Sequence, residues 1–304
     1  SLMCCLFGIY DYGHSLTAAQ KKRLVSALAV ASEDRGTDAT GIAYNHNGHL
    51  TVYKRPYPAH LMRFKLPDDA LCVMGHTRMT TQGDEKHNYN NHPFEGTAGI
   101  PFALAHNGVL YNDLTLRKDK KLPRTRIETD SYVAVQLLAQ QDDLSFRSIR
   151  SAVEPLRGTL TLSVLDSRDN LYIIKGNNPL TLYNFPRMGL YVYASTEQIL
   201  KKGLKKGMPR MEQPFEVMLR EGDILRIDRQ GQYSVERFDT RNLWDGTAHF
   251  SWPYWDVYAG QDEYINDLKS VASAYGYTPH DIDVFLGYGL CPEEIEEILC
   301  CGEV

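Results

Sequence analysis

At 304 residues, with 43% hydrophobic and 23% charged side chains, the chain has ordinary globular composition and length for one large domain, or a large one plus a small one. A formal net charge of -5 argues against a nucleic-acid partner held through phosphates. No apolar run approaches the roughly 20 residues that span a bilayer and no signal-peptide pattern opens the chain, so no membrane partner is expected and a cytoplasmic location is the default.

The first element is carried by "MCCLFGIYDYG", where Leu6, Phe7 and Ile9 predict a buried strand. Two readings of its thiols stand side by side. Cys4 and Cys5 are small apolar filler, or Met3 is the native start and Cys4 the mature first residue, joining a thiol and a free α-amine. Under the second reading, Ser1 and Leu2 are a cloning remnant. The six cysteines have no CxxC spacing, which excludes zinc-ribbon and thioredoxin motifs and predicts reduced thiols.

Next, "SLTAAQKKRLVSALAVASEDRG" predicts a helix capped by Ser15 or Thr17, with Leu24, Ala27, Leu28 and Ala31 on one face. "TGIAYNHNGHLTVYKR" predicts a hairpin turning at Asn-Gly, and "ALCVMGHTRMTTQGD" a strand running into a polar loop. "PFALAHNGVLYN" predicts a strand ending in a turn, and "ETDSYVAVQLLAQQ" a helix capped near Thr129. From Gly158, "TLTLSVLDSRDNLYIIKG", "PLTLYN", "GLYVYAS" and "DILRIDRQGQYSVERF" alternate as antiparallel strands, with "KKGLKKG" expected as a solvated loop. An α+β layered fold with sheets at its centre follows. Beyond Asp239 the composition shifts to a tryptophan-rich connection and three short helical patterns. The chain therefore divides into a domain over 4–240 and an extension over 241–304, expected to dock on the main domain or on a partner.

Four polar clusters sit where elements end: "RGTDATG", "GHTRMTTQGD…NNHPF", "AHNG" and "ETDSY". Taken singly, Arg78 reads as a surface charge, Asn107-Gly108 as a turn and Asp130 as a helix cap. His46, His49, His60 and His87 lack ligand spacing and read as surface residues, so no metal is expected.

The order "MCCLFG", "RGTDATG", "GHTRMTTQG", "NHPF", "AHNG" and "TDS", with "VYASTEQIL" and "REGDILRID" later, resembles the class II glutamine amidotransferase domain. This is the N-terminal-nucleophile glutaminase domain of glucosamine-6-phosphate synthase and amidophosphoribosyltransferase. The likeness runs from Cys4 to about Asp228 and implies a four-layer αββα sandwich with a small C-terminal helical extension. It further implies glutamine hydrolysis without a cofactor. Cys4 would attack the side-chain amide, and a terminal amine, titrating near pH 8, would shuttle the proton. The Asn107 amide and Gly108 N–H would hold the oxyanion. Arg78, helped by Thr81, would bind the α-carboxylate and Asp130 the α-ammonium, with Arg35 and His92 as supports.

Three departures accompany the likeness. Cys5 and Met79 replace the family's usual glycine and tryptophan, leaving Cys5 either tolerated or competing as a thiol, and no second catalytic domain follows. Ammonia would pass to a separate acceptor or synthase subunit. Two alternatives stay open: hydrolysis of another γ-glutamyl amide or peptide, and a non-catalytic glutamine-sensing module.

Overall fold

A computed structural model describes residues 4–80, 82–210, 212–243, 261–287 and 292–301. Ser1 to Met3, Thr81 and the tryptophan-rich connection lie outside the described residues. Two compact units result, one ending at Leu243 and the other beginning after it.

In the first unit, strand β1 (Cys5–Asp11) leads to helix α1 (Ala18–Ser32). Thr17 caps α1 through a reciprocal box: its hydroxyl accepts from Gln20 N–H at 3.2 Å, and Gln20 Oε1 accepts from Thr17 N–H at 2.8 Å. Strands β2 (Ala39–His46) and β3 (His49–Arg55) form a hairpin whose two-residue turn is Asn47 and Gly48, both with positive φ. After β4 (Cys72–Arg78) come β5 (Phe94–Ala98) and β6 (Ile100–Leu110), then helices α2 (Asp113–Asp119), α3 (Tyr132–Ala139) and α4 (Phe146–Val153). Strands β7 (Gly158–Asp166), β8 (Leu171–Lys175), β9 (Thr181–Phe185) and β10 (Leu190–Ala194) precede helix α5 (Glu197–Gly207). Strands β11 (Phe215–Glu216), β12 (Asp223–Ile227) and β13 (Tyr233–Arg237) complete the unit.

All the strand pairings in two sheets are antiparallel. The first sheet has the order β11-β9-β10-β1-β4-β2-β3, and the second β13-β12-β8-β7-β6-β5. Period-two alternation sorts side chains into three apolar interfaces. On β1, Cys5, Phe7 and Ile9 face α1 and α5, whereas Leu6 and Tyr10 face the second sheet. On β6, Ala103 and Ala105 return that contact, whereas Phe102 and Leu104 face α3 and α4. Helix, sheet, sheet, helix: the unit is a four-layer αββα sandwich.

Three expectations are corrected. Strand β6 runs through Asn107-Gly108 to Leu110 rather than turning there; Gly108 has φ 147°, and a Cβ would sit 2.0 Å from Thr159 O. A glycine pressed against a neighbouring strand carries the same sequence signal as a turn. The run Lys201, Lys202, Lys205 and Lys206 lies on α5, not in a loop, because Thr196 caps a helix whose two glycines face α1. Ser131, not Thr129, stands at the N-cap of α3, without a side-chain cap bond.

The second unit holds α6 (Gln261–Val271), α7 (Pro279–Gly287) and α8 (Pro292–Cys301) around Leu268, Ala272, Ile282, Ile295 and Leu299. Gly276 ends the 3-10 turn after α6 in the left-handed region (φ 85°), and the Thr278 hydroxyl accepts from Asp281 N–H at the start of α7. No helix among the described residues is long and apolar enough to cross a membrane.

The α1–α5 contact depends on the absence of side chains at two positions. A Cβ on Gly203 would lie 2.6 Å from a Leu28 methyl and 3.0 Å from Leu28 Cα. Gly203→Val is therefore expected to destabilise the protein by about 1–3 kcal/mol in denaturant titration. Lys205→Ala on the exposed face should stay within about 0.5 kcal/mol, and equal effects of the two would contradict this packing.

Candidate active site

Cys4 stands one residue before β1, beside the end of β4. Its Sγ lies 3.4 Å from both the N–H and the carbonyl oxygen of Met79, donating to the oxygen and accepting from the nitrogen. Arg35 Nε donates to Cys4 O at 3.2 Å, fixing the residue from the loop after α1. Burial pushes the Cys4 thiol up to about 11, against the Met79 hydrogen bond and the nearby Arg78 charge. At neutral pH the thiol is protonated, so attack by sulfur requires a base at hand.

Cys5 is chemically separate. It is wholly buried, faces the α1 layer with Phe7 and Ile9, and donates to Leu6 O at 3.3 Å. Burial raises its thiol as well, and the hydroxyls of Ser32 and Ser195 lie against it. A side chain in the core cannot compete for a substrate, and the position accepts more than glycine because it points into packing.

Asn107 comes from the second sheet. Its Nδ2 donates to Ser195 Oγ at 3.3 Å, and that oxygen also accepts from Leu6 N–H at 2.8 Å. Its main-chain oxygen accepts from Asn178 Nδ2 at 2.8 Å, while the buried Oδ1 has no partner among the described residues. The Ser195 hydroxyl thus links strand β6 to Leu6 of strand β1.

Arg78, at the end of β4, is only 2% exposed. One terminal nitrogen donates to Asn91 Oδ1 at 2.6 Å, and the other to the carbonyls of Gln82 and Gly83 at 2.6 and 2.9 Å. Asp130 is 3% exposed; its carboxylate accepts from Leu110 N–H at 2.6 Å and faces the Ser131 hydroxyl at 3.4 Å. Its own N–H donates to Gln82 Oε1 at 3.0 Å. The loop after β4 is pinned to both charged residues, and Asn90 ties it further to Glu128. None of the ion pairs among the described residues involves Arg78 or Asp130, although each lies within electrostatic reach of the other and of Cys4.

Three buried histidines lie beneath. His76 Nε2 donates to His106 O at 3.0 Å, and His106 Nε2 donates to Thr159 O at 3.1 Å while its Nδ1 accepts from Ser131 at 2.7 Å. Carbonyl partners fix both tautomers. His92 packs between the tilted rings of His76 and Phe94, with centroids 4.2 and 4.4 Å away, and neither of its ring nitrogens has a hydrogen-bond partner among the described residues. Lys54 spans the following turn, donating to Asn91 O and Pro93 O at 2.5 and 3.0 Å.

Of the residues singled out from the sequence, Cys4, Arg35, Arg78 and Asp130 share one electrostatic neighbourhood. Asn107 reaches it through Ser195, while His92 packs beneath it. Thr81 lies outside the described residues. Sequence reasoning missed Ser195, Gln82, Asn91 and Asn178. Ser195, Gln82 and Asn91 lie inside the motifs "GLYVYAS", "GHTRMTTQGD" and "NNHPF", but their type gives no hint of distant partners. No group of three or more metal-ligating side chains is assembled among the described residues.

Burial holds all three imidazoles neutral: His76 is lowered to about 3, His106 to about 4, and His92 well below its usual value. In the unfolded chain they protonate near pH 6.5. A group whose folded value is depressed stabilises above its unfolded value and loses that contribution as pH falls. Asp113, raised to about 6 by burial and by Asp130, acts in the opposite sense over the lower part of the range, as do Asp130 and Asp169, which burial also raises. Three imidazoles begin to titrate in the unfolded chain at about pH 6.5, above the unfolded range of these carboxylates, so the melting temperature should fall from about pH 6.5 toward pH 5. A flat profile across that interval would contradict buried neutral histidines.

No family model matches the chain. A glutamine–fructose-6-phosphate aminotransferase (isomerizing) of Listeria innocua is 33% identical over 158 residues, covering 49% of this chain and 26% of that protein. One from Staphylococcus epidermidis is 31% identical over 188 residues, covering 59% and 30%. The chain thus spans 26% to 30% of the length of these relatives. Among solved structures, glutamine phosphoribosylpyrophosphate amidotransferase from B. subtilis superposes with TM-score 0.60 at 19% identity, covering 86% of this chain and 52% of that one. The allosteric regulatory enzyme of purine biosynthesis gives 0.61 at 18%, covering 78% and 49%. In sequence the main unit is similar to these aminotransferases and in fold to these amidotransferases, which matches a class II glutamine amidotransferase domain.

Proposed function

We propose that the main unit hydrolyses glutamine to glutamate and ammonia, with Cys4 as nucleophile. The observation that carries this reading is the pair Arg78 and Asp130: opposite charges, both buried, coupled electrostatically to Cys4 and not neutralised by one another. Their hydrogen-bond partners are neutral amides and carbonyls. Buried charges so arranged call for a ligand of complementary charge. The head of an amino acid supplies it, with its α-carboxylate toward Arg78 and its α-ammonium toward Asp130. In this reading the side-chain amide extends toward Cys4.

The thiol then needs a base. If the mature chain begins at Cys4, its α-amine, titrating near pH 8, takes the proton as sulfur adds to the amide carbon. The oxyanion forms at Asn107 Nδ2 and Gly108 N–H, the α-ammonium returns its proton to the departing nitrogen, and ammonia leaves from the collapsing adduct. Water then hydrolyses the thioester, regenerating Cys4 and releasing glutamate. Arg35 holds the Cys4 carbonyl and is a positioning residue. The names of the relatives pair glutamine with a fructose 6-phosphate or phosphoribosylpyrophosphate acceptor, and here the ammonia acceptor is taken to lie outside the main unit.

Protein beginning at Cys4 should release ammonia from glutamine, and Cys4→Ala should not. With Ser1-Leu2-Met3 retained, the Cys4 nitrogen is an amide and cannot act as a base. Turnover is then expected to fall at least about 100-fold, the usual contribution of a positioned base. Equal rates with and without the three residues would remove the α-amine from the mechanism.

Asp130→Asn keeps the side chain's shape and removes its charge. KM for glutamine should rise roughly 10- to 100-fold, as befits a lost hydrogen bond to a charged group. An unchanged KM would show that the substrate ammonium does not meet Asp130.

A further inference from the structure

Ser195 follows β10 directly and is wholly buried. Its oxygen accepts from Leu6 N–H on the first sheet and from Asn107 Nδ2 on the second, at 2.8 and 3.3 Å. Ser195 N–H in turn donates to Leu6 O at 2.9 Å, which fixes the serine to β1 from both sides. A hydroxyl has two lone pairs and one proton. The two donors fill the lone pairs. A single oxygen therefore gauges Asn107 against the strand that carries Cys4.

The geometry points to Ser195 as a positioning residue for Asn107, orienting the side-chain amide so that the Nδ2 proton not spent on the serine is available to the oxyanion. The inference rests on the glutamine-hydrolysis reading above. A primary amide has two nitrogen protons and can rotate about its last bond. Its Oδ1 has no hydrogen-bond partner among the described residues, whereas its Nδ2 is held by the bond to Ser195. Rotation by half a turn would present an oxygen lone pair where negative charge develops, replacing attraction by repulsion. The Asn178 bond to Asn107 O holds the main chain but leaves this rotation free.

The test is a double-mutant cycle on protein beginning at Cys4, comparing wild type, Ser195→Ala, Asn107→Ala and the double variant for ammonia release, with a crystal structure of Ser195→Ala. Removing an oxyanion donor costs about 100- to 1000-fold in kcat, so Ser195→Ala is expected to lower kcat by about 10- to 100-fold with KM within about twofold. The double variant should be no slower than Asn107→Ala by more than about twofold, because Ser195 acts through a group already removed. A general loss of packing would not produce that non-additivity. In the crystal structure, the Asn107 amide should be turned or disordered. Losses that multiply, an unchanged kcat in Ser195→Ala, or an Asn107 amide that keeps its place without the serine would each overturn the inference. Wild-type protein that releases no ammonia would defeat the glutamine-hydrolysis reading instead. The Asn107 orientation in the Ser195→Ala crystal structure would still decide whether the serine holds the amide.

Discussion

The candidate site depends on the register of β1 between β4 and β10. Two fits between a glycine and an aromatic ring lock it. Phe7 pairs with Gly75, and a Cβ on that glycine would lie 2.2 Å from the Phe7 ring; Gly8 pairs with Tyr193, whose ring leaves 2.5 Å. A slip of one residue would drive each ring into a side chain and exchange the two faces of β1. With Cys5 opposite Thr77, the antiparallel pairing carries Cys4 to the level of Arg78 and Met79, where its sulfur meets the Met79 backbone. The thiol's place is thus set by packing farther along the strand, a more rigid support than a free chain end could supply.

That register also explains how the departures at Cys5 and Met79 are accommodated. Alternation turns Cys5 toward α1 and leaves Cys4 outside the strand, so neighbouring thiols occupy different environments. Met79 meets the Cys4 thiol with its backbone N–H and C=O, groups that any non-proline residue carries. Neither replacement touches the hydrogen bonds that define the site.

Much of the fold was legible because β strands announce themselves by alternation and turns by Asn-Gly pairs. The hairpin at Asn47-Gly48, the cap at Thr17 and the strands from Gly158 onward are local matters of that sort. Gly108 and the α5 glycines were misjudged because the same residue serves turns and close packing, and only the neighbour distinguishes them. At the site, Cys4, Arg78, Asp130 and Asn107 were grouped by the order of motifs along the chain. Nothing local in the sequence could reveal that Ser195 bonds Leu6 and Asn107, 189 and 88 positions away. Arg78 and Gln82 lie only four positions apart, but their contact depends on how the loop after β4 folds back. Polar hubs of this kind are products of tertiary packing, and their residue types are common everywhere else in the chain.

The hubs also explain how two opposite charges persist side by side without collapsing together. An Arg and an Asp in direct contact would neutralise each other and leave little field for a ligand. Here Arg78 is solvated by Asn91 and two loop carbonyls, and Asp130 by Leu110 N–H. Dipoles lower the cost of burial without cancelling the charge. The residual cost is visible in the directions of titration: burial moves Arg78 downward and Asp130 upward, each toward its neutral form. The fold therefore accepts a less stable interior at this end of the sheets. It obtains in exchange a preorganised, oppositely charged pair beside a thiol whose position the strand register has already fixed.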